Sequence, residues 1–126
     1  MNNEWDKVKE FHEKFGHPKS EKPIFINAER ARARYNWMLE EINEFLDASN
    51  IVDQVDAMID LMYFALGTMV EIGVKPDKIF DIVHNANMAK LWNDGLPHFD
   101  KDGKTIKPST WNDPYEKIEL EIKNSL

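Results

Sequence analysis

The sequence predicts an all-α protein, a bundle of four or five helices with one small β-hairpin near the C-terminus. Apolar residues recur at three- and four-residue spacing in several long segments, which is typical of amphipathic helices. Residues that favour helix ends separate these segments, among them Asn27, Gly73 and Pro76. The pair Asp102-Gly103 is a hairpin-turn signal between two short segments.

Length and composition predict one soluble globular domain spanning 1–126. A chain of 126 residues with 42% apolar residues can bury one core. Its net charge of −7 argues against a nucleic-acid-binding surface, and the absence of cysteine excludes disulfides and thiolate metal sites. The N-terminus has no signal-peptide pattern, and the apolar run 57–70 is too short for a membrane span and contains Asp60. A cytoplasmic protein without a membrane partner is expected.

The first two helices are predicted from periodicity and end signals. The first spans Asn3–Phe15 and ends at Gly16. A proline-containing loop follows, and Asn27 is a suitable N-cap for a second helix that runs to about Ala48.

The third helix, predicted over Ile51–Ile72, is apolar on almost every side from Ala57 to Val70, which is typical of a buried helix. Gly73 ends it. A single layer of four or five helices can hardly bury such a helix on all sides. We therefore expect a homo-oligomer, either a dimer or a tetramer.

The last part of the chain is predicted to hold a fourth helix, a hairpin and a fifth helix. The fourth helix begins after Pro76 and runs from Asp77 to about Leu91. Segments 96–99 and 104–107 flank the hairpin turn, and Tyr115 to about Lys123 forms the final amphipathic helix.

Two groups of carboxylates are the strongest functional signal. Glu41 and Glu44 share one face of the second helix, and Asp53, Asp56 and Asp60 share one face of the third. A short connection makes these helices antiparallel neighbours, so the two groups should face each other. Converging carboxylates repel one another unless a divalent cation neutralises them. The alternative is two solvated acidic faces.

Other polar residues have two interpretations each. Arg30, Arg34, Trp37 and Glu41 follow one stripe, so Arg34 either forms ordinary surface pairs or lies near an anionic ligand. Asn87 and Lys90 share a face of the fourth helix, where they could bind a nucleotide or simply be solvated.

Several motifs in fixed order resemble the all-α nucleoside triphosphate pyrophosphohydrolases. This superfamily includes MazG-like proteins, dimeric dUTPases and phosphoribosyl-ATP pyrophosphohydrolases, and the chain is most similar to the last branch over most of its length. The motifs are 8–18 (VKEFHEKFGHP), 40–44 (EEINE), 53–63 (DQVDAMIDLMY) and 83–91 (VHNANMAKL), with Asp102-Gly103-Lys104, Lys107-Pro108 and Trp111 in the tail.

The resemblance implies a magnesium site, with Mn²⁺ as a possible substitute. Glu41 and Glu44 match the family's EExxE ligands, and Asp53 and Asp56 match its ExxD pair. Asp53 stands where the family usually has glutamate, so its reach is about one methylene shorter. In a second register, Asp60-Leu61-Met62-Tyr63 would end the motif and Ala57 would fall at a ligand position. We prefer the first register and keep Asp60 as an additional carboxylate.

The implied reaction is attack of water at the α-phosphorus of a nucleoside triphosphate, which yields a monophosphate and pyrophosphate. Glu40 would orient or deprotonate the water, beside Glu41 and Glu44. Asn87 and Lys90 match an Asn-x-x-Lys motif that holds the nucleotide and its phosphates. Lys104 and Lys107 would close over the phosphates, from the same or a neighbouring subunit.

House-cleaning of non-standard or deoxynucleoside triphosphates is the role that the resemblance favours. Candidates for stacking on the base are Trp37, Phe64, Trp92 and Trp111, although aromatic residues at such positions are more often simply part of the core. The alternative is a non-catalytic metal-binding or regulatory helical bundle, including a homologue inactivated by the change at Asp53. A redox di-metal bundle is disfavoured, because no helix carries a Glu-x-x-His pair.

Overall fold

A computed structural model describes all residues, 1–126, and contains five helices and one two-stranded antiparallel hairpin. The predicted all-α class with a small hairpin is therefore confirmed. The chain divides into two compact units, 1–76 and 77–126. The elements are α1 (Asn2–Phe15), α2 (Ala28–Asp47), α3 (Ile51–Ile72), α4 (Asp77–Met88), β1 (His98–Phe99), β2 (Thr105–Ile106) and α5 (Tyr115–Asn124).

In the first unit, α1 and α2 both pack against α3. A small core of Trp5, Val8 and Val70 joins α1 to the C-terminal half of α3, and Leu66 and Met69 pack against it. The core therefore involves the C-terminal half of α3, whereas the predicted carboxylates lie in its N-terminal half. Packing against α1 and the predicted site occupy different parts of this helix.

Helix ends follow local capping chemistry. The Asn27 side chain accepts a hydrogen bond from the Arg30 N–H at 2.8 Å and starts α2. Gly73 ends α3 in the left-handed conformation, with φ of 81°. Both predicted ends are confirmed.

Within one chain, α3 is buried on one face only. Val52, Val55, Ile59 and Met62 form a stripe at three- and four-residue spacing, and each is at least half exposed. The expectation that α3 is buried on all sides is thus not met by a single copy of the chain.

The second unit contains α4, the hairpin and α5, with α4 and α5 in contact. Strand pairing matches His98 to Ile106 and Phe99 to Thr105. Helix α4 ends at Met88, earlier than the predicted Leu91. The reason is a tighter turn, because the Leu91 N–H donates to the carbonyl of Met88, three residues back.

None of the five helices is at once long and apolar enough to cross a membrane by itself.

Candidate active site

Helices α2 and α3 are antiparallel, and their facing side chains lie at three levels. Residues late in α2 face residues early in α3, as the short connection 48–50 requires. From the connection outward, the levels are an acidic cluster (Glu41, Glu44, Asp56 and Asp60), a pair of aromatic rings (Trp37 and Phe64) and an ion-pair network (Arg30, Arg34 and Glu71).

Glu41 is the most constrained carboxylate of the acidic cluster. It is only 9% exposed, and its Oε2 atom is buried without a hydrogen-bond partner. Burial raises the pKa of Glu41 to about 7, helped by hydrogen bonding to Glu44 and by the charges of Glu44, Asp60 and Asp56. A buried carboxyl group with an unused oxygen favours a proton or a cation.

Asp60 is destabilised as a charged group in the same way as Glu41. Burial raises the pKa of Asp60, and the charges of Asp56 and Glu44 raise it further. No three acidic or histidine side chains stand around one point where they could ligate a single ion. Binding a cation therefore requires the carboxylates to rotate toward one point.

Asp53 and Glu40 have different surroundings from these four residues. The Asp53 N–H donates to Asn50 Oδ1 at 2.9 Å, and Asn50 Nδ2 donates to Asp53 Oδ2 at 3.0 Å. This reciprocal pair caps the start of α3. Glu40 is exposed on α2, about 100° around the helix from Glu41.

The ion-pair network lies at the opposite end of the two helices. Glu71, with a side chain that is 1% exposed, accepts from Arg30 Nε at 2.7 Å and Nη2 at 3.0 Å, and pairs with Arg34 Nη1 at 3.1 Å. Arg34 also donates to Thr68 Oγ1 at 3.0 Å and to the Phe64 carbonyl at 2.7 Å. Arg34, which we expected near an anionic ligand, thus binds three groups within the protein.

A histidine and a glycine let α1 approach this network closely. His12 is buried, and its Nδ1–H donates to the Pro18 carbonyl at 2.7 Å. Burial lowers the pKa of His12, only partly offset by that hydrogen bond, so the ring is neutral at pH 7. A Cβ atom on Gly67 would clash with Arg34 Nη2 and with His12 Nε2 at 2.9 Å. An alanine at this position would force the Arg34 and His12 side chains to shift.

An aromatic pocket of about 250 Å³ lies at the middle level. Trp37 precedes Glu41 by four residues and Phe64 follows Asp60 by four, so the pocket is one helical turn, about 6 Å, from the acidic cluster. Phe11 contacts Tyr63 edge-on, with ring centroids 5.7 Å apart. The lining residues are Phe11, His12, His17, Arg34, Trp37, Tyr63 and Phe64.

In the second unit, two of the predicted phosphate-binding lysines lie over one indole ring. Lys90 Nζ is 5.6 Å and Lys107 Nζ 4.5 Å from the centre of the Trp111 ring. The Trp111 indole N–H donates to the Ala86 carbonyl at 2.6 Å, which attaches the ring to α4. Both ammonium groups therefore lie within cation–π range of the same ring.

The other residues predicted in this unit are not part of that cluster. Asn87 is exposed on α4. Lys104 is exposed in the hairpin, where its backbone N–H donates to Asp100 Oδ1 at 3.0 Å. The Trp92 ring is stacked on His98, with centroids 4.2 Å apart.

Sequence reasoning missed Glu71 and most of the pocket. A single glutamate between Val70 and Ile72 is a signal for a buried partner, given two arginines four residues apart on the preceding helix. Phe11 and His17 belong to the 8–18 motif, which the resemblance covers without assigning them roles.

Comparisons with known proteins agree with this fold. Residues 8–87 match the sequence profile of the family described as phosphoribosyl-ATP pyrophosphohydrolase. Among solved structures, the chain is similar to a candidate NTP pyrophosphohydrolase from Exiguobacterium sp. 255-15. The two are 30% identical, the likeness covers 97% of this chain and 95% of the other, and the TM-score is 0.54. No curated protein matches. Since the profile spans more than half of the chain, the chain belongs to the phosphoribosyl-ATP pyrophosphohydrolase family.

Proposed function

We propose that the chain hydrolyses nucleoside triphosphates, with Mg²⁺ or Mn²⁺, to nucleoside monophosphates and pyrophosphate. The observation that carries the proposal is the buried, unpartnered Oε2 of Glu41 within the acidic cluster, one turn from an aromatic pocket. A cation would neutralise the buried carboxylate, and a flat nucleobase fits the aromatic pocket. Family membership supports a hydrolase that acts on phosphoric anhydrides.

The donor atoms of the acidic cluster suit a hard divalent cation. All four side chains present carboxylate oxygens, the ligands that Mg²⁺ and Mn²⁺ prefer. We assign Glu41, Glu44, Asp56 and Asp60 as the residues that would hold the ion, with Asp53 joining them when it leaves its cap. A bound ion supplies charge neutralisation at the phosphates and lowers the pKa of a nearby water.

The reaction balances as an in-line displacement at phosphorus. The oxygen of water bonds to the α-phosphorus, the bond from that phosphorus to the α,β-bridging oxygen breaks, and pyrophosphate leaves. In this proposal Glu40 orients the water and takes its proton, while Glu41 and Glu44 fix the geometry around it. Because Glu40 lies about 100° around α2 from Glu41, it would have to reach this water from beside the acidic cluster.

The aromatic pocket is the proposed position of the base, between Trp37 and Tyr63 and bordered by Arg34. Asn87, Lys90, Lys104 and Lys107 are proposed to bind the sugar and phosphates. The mainly aromatic lining of the pocket favours stacking on a base over dense hydrogen bonding to it. A house-cleaning role in the cytoplasm, on non-standard or deoxynucleoside triphosphates, fits such a tolerant pocket.

A second copy of the chain is proposed to cover the exposed stripe of α3. Val52, Val55, Ile59 and Met62 form a continuous apolar surface that a single copy leaves in water. Burying it in a dimer or tetramer removes this cost. Sedimentation at increasing concentration should show the oligomer, and Val55→Glu should dissociate it.

The deciding experiment incubates the protein with a panel of canonical, deoxy and modified triphosphates and Mg²⁺. We expect pyrophosphate as the product, a loss of turnover in Glu41→Gln, and unchanged turnover in Glu10→Gln. Glu10 is a matched control because it is an exposed glutamate paired with Lys14 on α1. Orthophosphate as the product, or full turnover with excess chelator, would refute the proposal.

The alternative is a non-catalytic metal-binding or regulatory protein. The engagement of Asp53 with Asn50 favours it, because one carboxylate that the family uses for the ion is occupied in a cap. Calorimetric Mg²⁺ binding that depends on Glu41, without turnover of any triphosphate, would establish this alternative.

A further inference from the structure

Helix α1 forms one wall of the aromatic pocket, and one face of this helix attaches it to the rest of the first unit. Trp5, Val8 and His12 follow one another at three- and four-residue spacing, and all three are buried. Trp5 and Val8 pack against Val70 on α3. His12, which also lines the pocket, is the only one of the three anchors that can carry a charge.

The surroundings of the His12 ring fit its neutral form. The side chain is 3% exposed, and its Nδ1–H donates to the Pro18 carbonyl at 2.7 Å. The other ring nitrogen, Nε2, makes no hydrogen bond and no ion pair. A Cβ atom built on Gly67 would lie 2.9 Å from Nε2 and would also clash with Arg34 Nη2, so Nε2 lies close to the α3 backbone and to a donor group. A proton added at Nε2 would therefore be buried without an acceptor.

Charged groups from three segments act on His12, and none of them offsets the cost of burying a charged ring. Arg34 on α2 and His17 in the loop after α1 disfavour a positive ring, whereas Glu71 on α3 favours one. Glu71 is already paired with both Arg30 and Arg34. Burial is the largest cause of the lowered pKa of His12.

We propose that His12 is a positioning residue whose neutral ring docks α1 onto α3, and that protonation of this ring releases α1 from the aromatic pocket. Undocking would expose the ring to water, where a histidine takes up a proton at about pH 6.5. The contribution of His12 to docking is therefore complete above about pH 6.5 and decreases as the pH falls below it.

Release of α1 would open the pocket from one side. Phe11 on α1 contacts Tyr63 on α3 edge-on, with ring centroids 5.7 Å apart, and both rings line the pocket. The acidic cluster lies on α2 and α3 and would stay in place. That the pocket receives a base rests on the proposed function, whereas the docking of α1 by His12 does not.

The test measures hydrogen-exchange protection of the α1 amides at pH 7.5 and pH 5.5, in the full chain, with excess chelator and without nucleotide. Since the lower pH is about one unit below the pKa of a free histidine, the opening equilibrium of α1 should rise up to about tenfold in the wild type. His12→Asn should show no such rise, because its amide nitrogen can still donate to Pro18 but does not titrate. Other titrating groups act equally in the two proteins.

Two control variants test whether the effect belongs to His12. His17→Asn removes the second histidine of the pocket, whose ring centroid is 5.4 Å from that of His12, and His84→Asn removes an exposed histidine on α4. Both should keep the wild-type rise. If His12→Asn does not fold, the wild type decides, because protonation of the His12 ring, followed by NMR, and loss of α1 protection should share one midpoint.

The inference is overturned if α1 protection in the wild type is equal at the two pH values, if folded His12→Asn keeps the rise, if His17→Asn abolishes it, or if the two midpoints differ. In steady-state hydrolysis, acidification should raise KM more in the wild type than in His12→Asn and should change kcat equally in both. Acid release of α1 that depends on His12, in a protein without turnover, would refute the proposed function and leave this role standing. Turnover with no such release would do the reverse.

Discussion

The two ends of the α2–α3 pair both bury carboxylates, but they neutralise them in different ways. At one end, both oxygens of Glu71 accept from Arg30, and Arg34 adds a second cation. At the other end, Glu41 has only carboxylates near it, and its Oε2 atom has no partner. The completed network holds the two helices together, whereas the incomplete one marks the place where a ligand must supply the positive charge.

The largest difference between the two ends should appear in catalysis. Glu41→Gln should lower Mg²⁺-dependent kcat on the order of 10³-fold, because a neutral amide cannot anchor the ion. Its thermal stability without metal should be equal to or above that of the wild type, since the substitution removes a repelled charge. Steady-state kinetics and melting curves check both. A Glu41→Gln protein that is both unfolded and inactive would contradict this division of roles.

The matching change at the other end should cost stability. Glu71→Ala leaves two arginines without their shared partner, and Arg34 is only 4% exposed. We expect a loss of about 3–5 kcal/mol in the free energy of unfolding, measured by urea denaturation. Glu21→Ala, which breaks exposed pairs with Lys9 and Lys19, should cost far less, because water screens exposed ion pairs. Equal losses in the two variants would show that burial of the network does not matter.

The acidic cluster should make the metal-free protein less stable as the pH rises. Because the pKa of Glu41 is raised from 4.5 to about 7, its contribution to stability is complete below pH 4.5 and is lost as the pH rises through 7. The metal-free protein should therefore be about 1–3 kcal/mol more stable, from this group, at pH 5 than at pH 8. Denaturation of wild type and Glu41→Gln in chelator isolates this difference. An identical pH dependence in both proteins would exclude Glu41 as its source.

The smallest expected effect concerns Asp53, which lies at the acidic end and accepts a hydrogen bond from the side chain of Asn50. Asp53→Ala keeps the backbone N–H that Asn50 caps and loses only the hydrogen bond from Asn50 Nδ2, so it should cost about 0.5–1 kcal/mol and should raise the Mg²⁺ concentration needed for half-maximal activity. Asp53→Asn keeps an oxygen that accepts from Asn50 Nδ2 but is a weaker cation ligand. It should retain stability and still require more Mg²⁺. If Asp53→Asn needs no more Mg²⁺ than wild type, Asp53 serves only the cap.

Local signals explain what the sequence predicted well. Asn27 and Gly73 mark helix ends because capping needs only neighbouring backbone groups. The opposition of Glu41 to Asp56 and Asp60 followed from helical spacing and a short connection. These inferences need no knowledge of distant packing, and they located the acidic cluster.

Contacts between distant segments explain which features the sequence did not predict. The Arg30–Glu71 pair joins residues 41 positions apart, and the spacing within α2 suggested carboxylate partners on the same helix. The pocket depends on how α1 packs on α3, which periodicity does not determine. The cap role of Asp53 was accessible, since Asn50 and Asp53 have the spacing of a capping box.

The close contact at Gly67 has a consequence for engineering this protein. Replacing an interior helical glycine with alanine is a common route to thermostability, worth up to about 1 kcal/mol from helix propensity alone. Here the added methyl group would push against Arg34 and His12, whose positions are held by hydrogen bonds to Thr68 and Pro18. A consensus or propensity-based redesign that treats all glycines in helices alike would therefore weaken the protein at this residue.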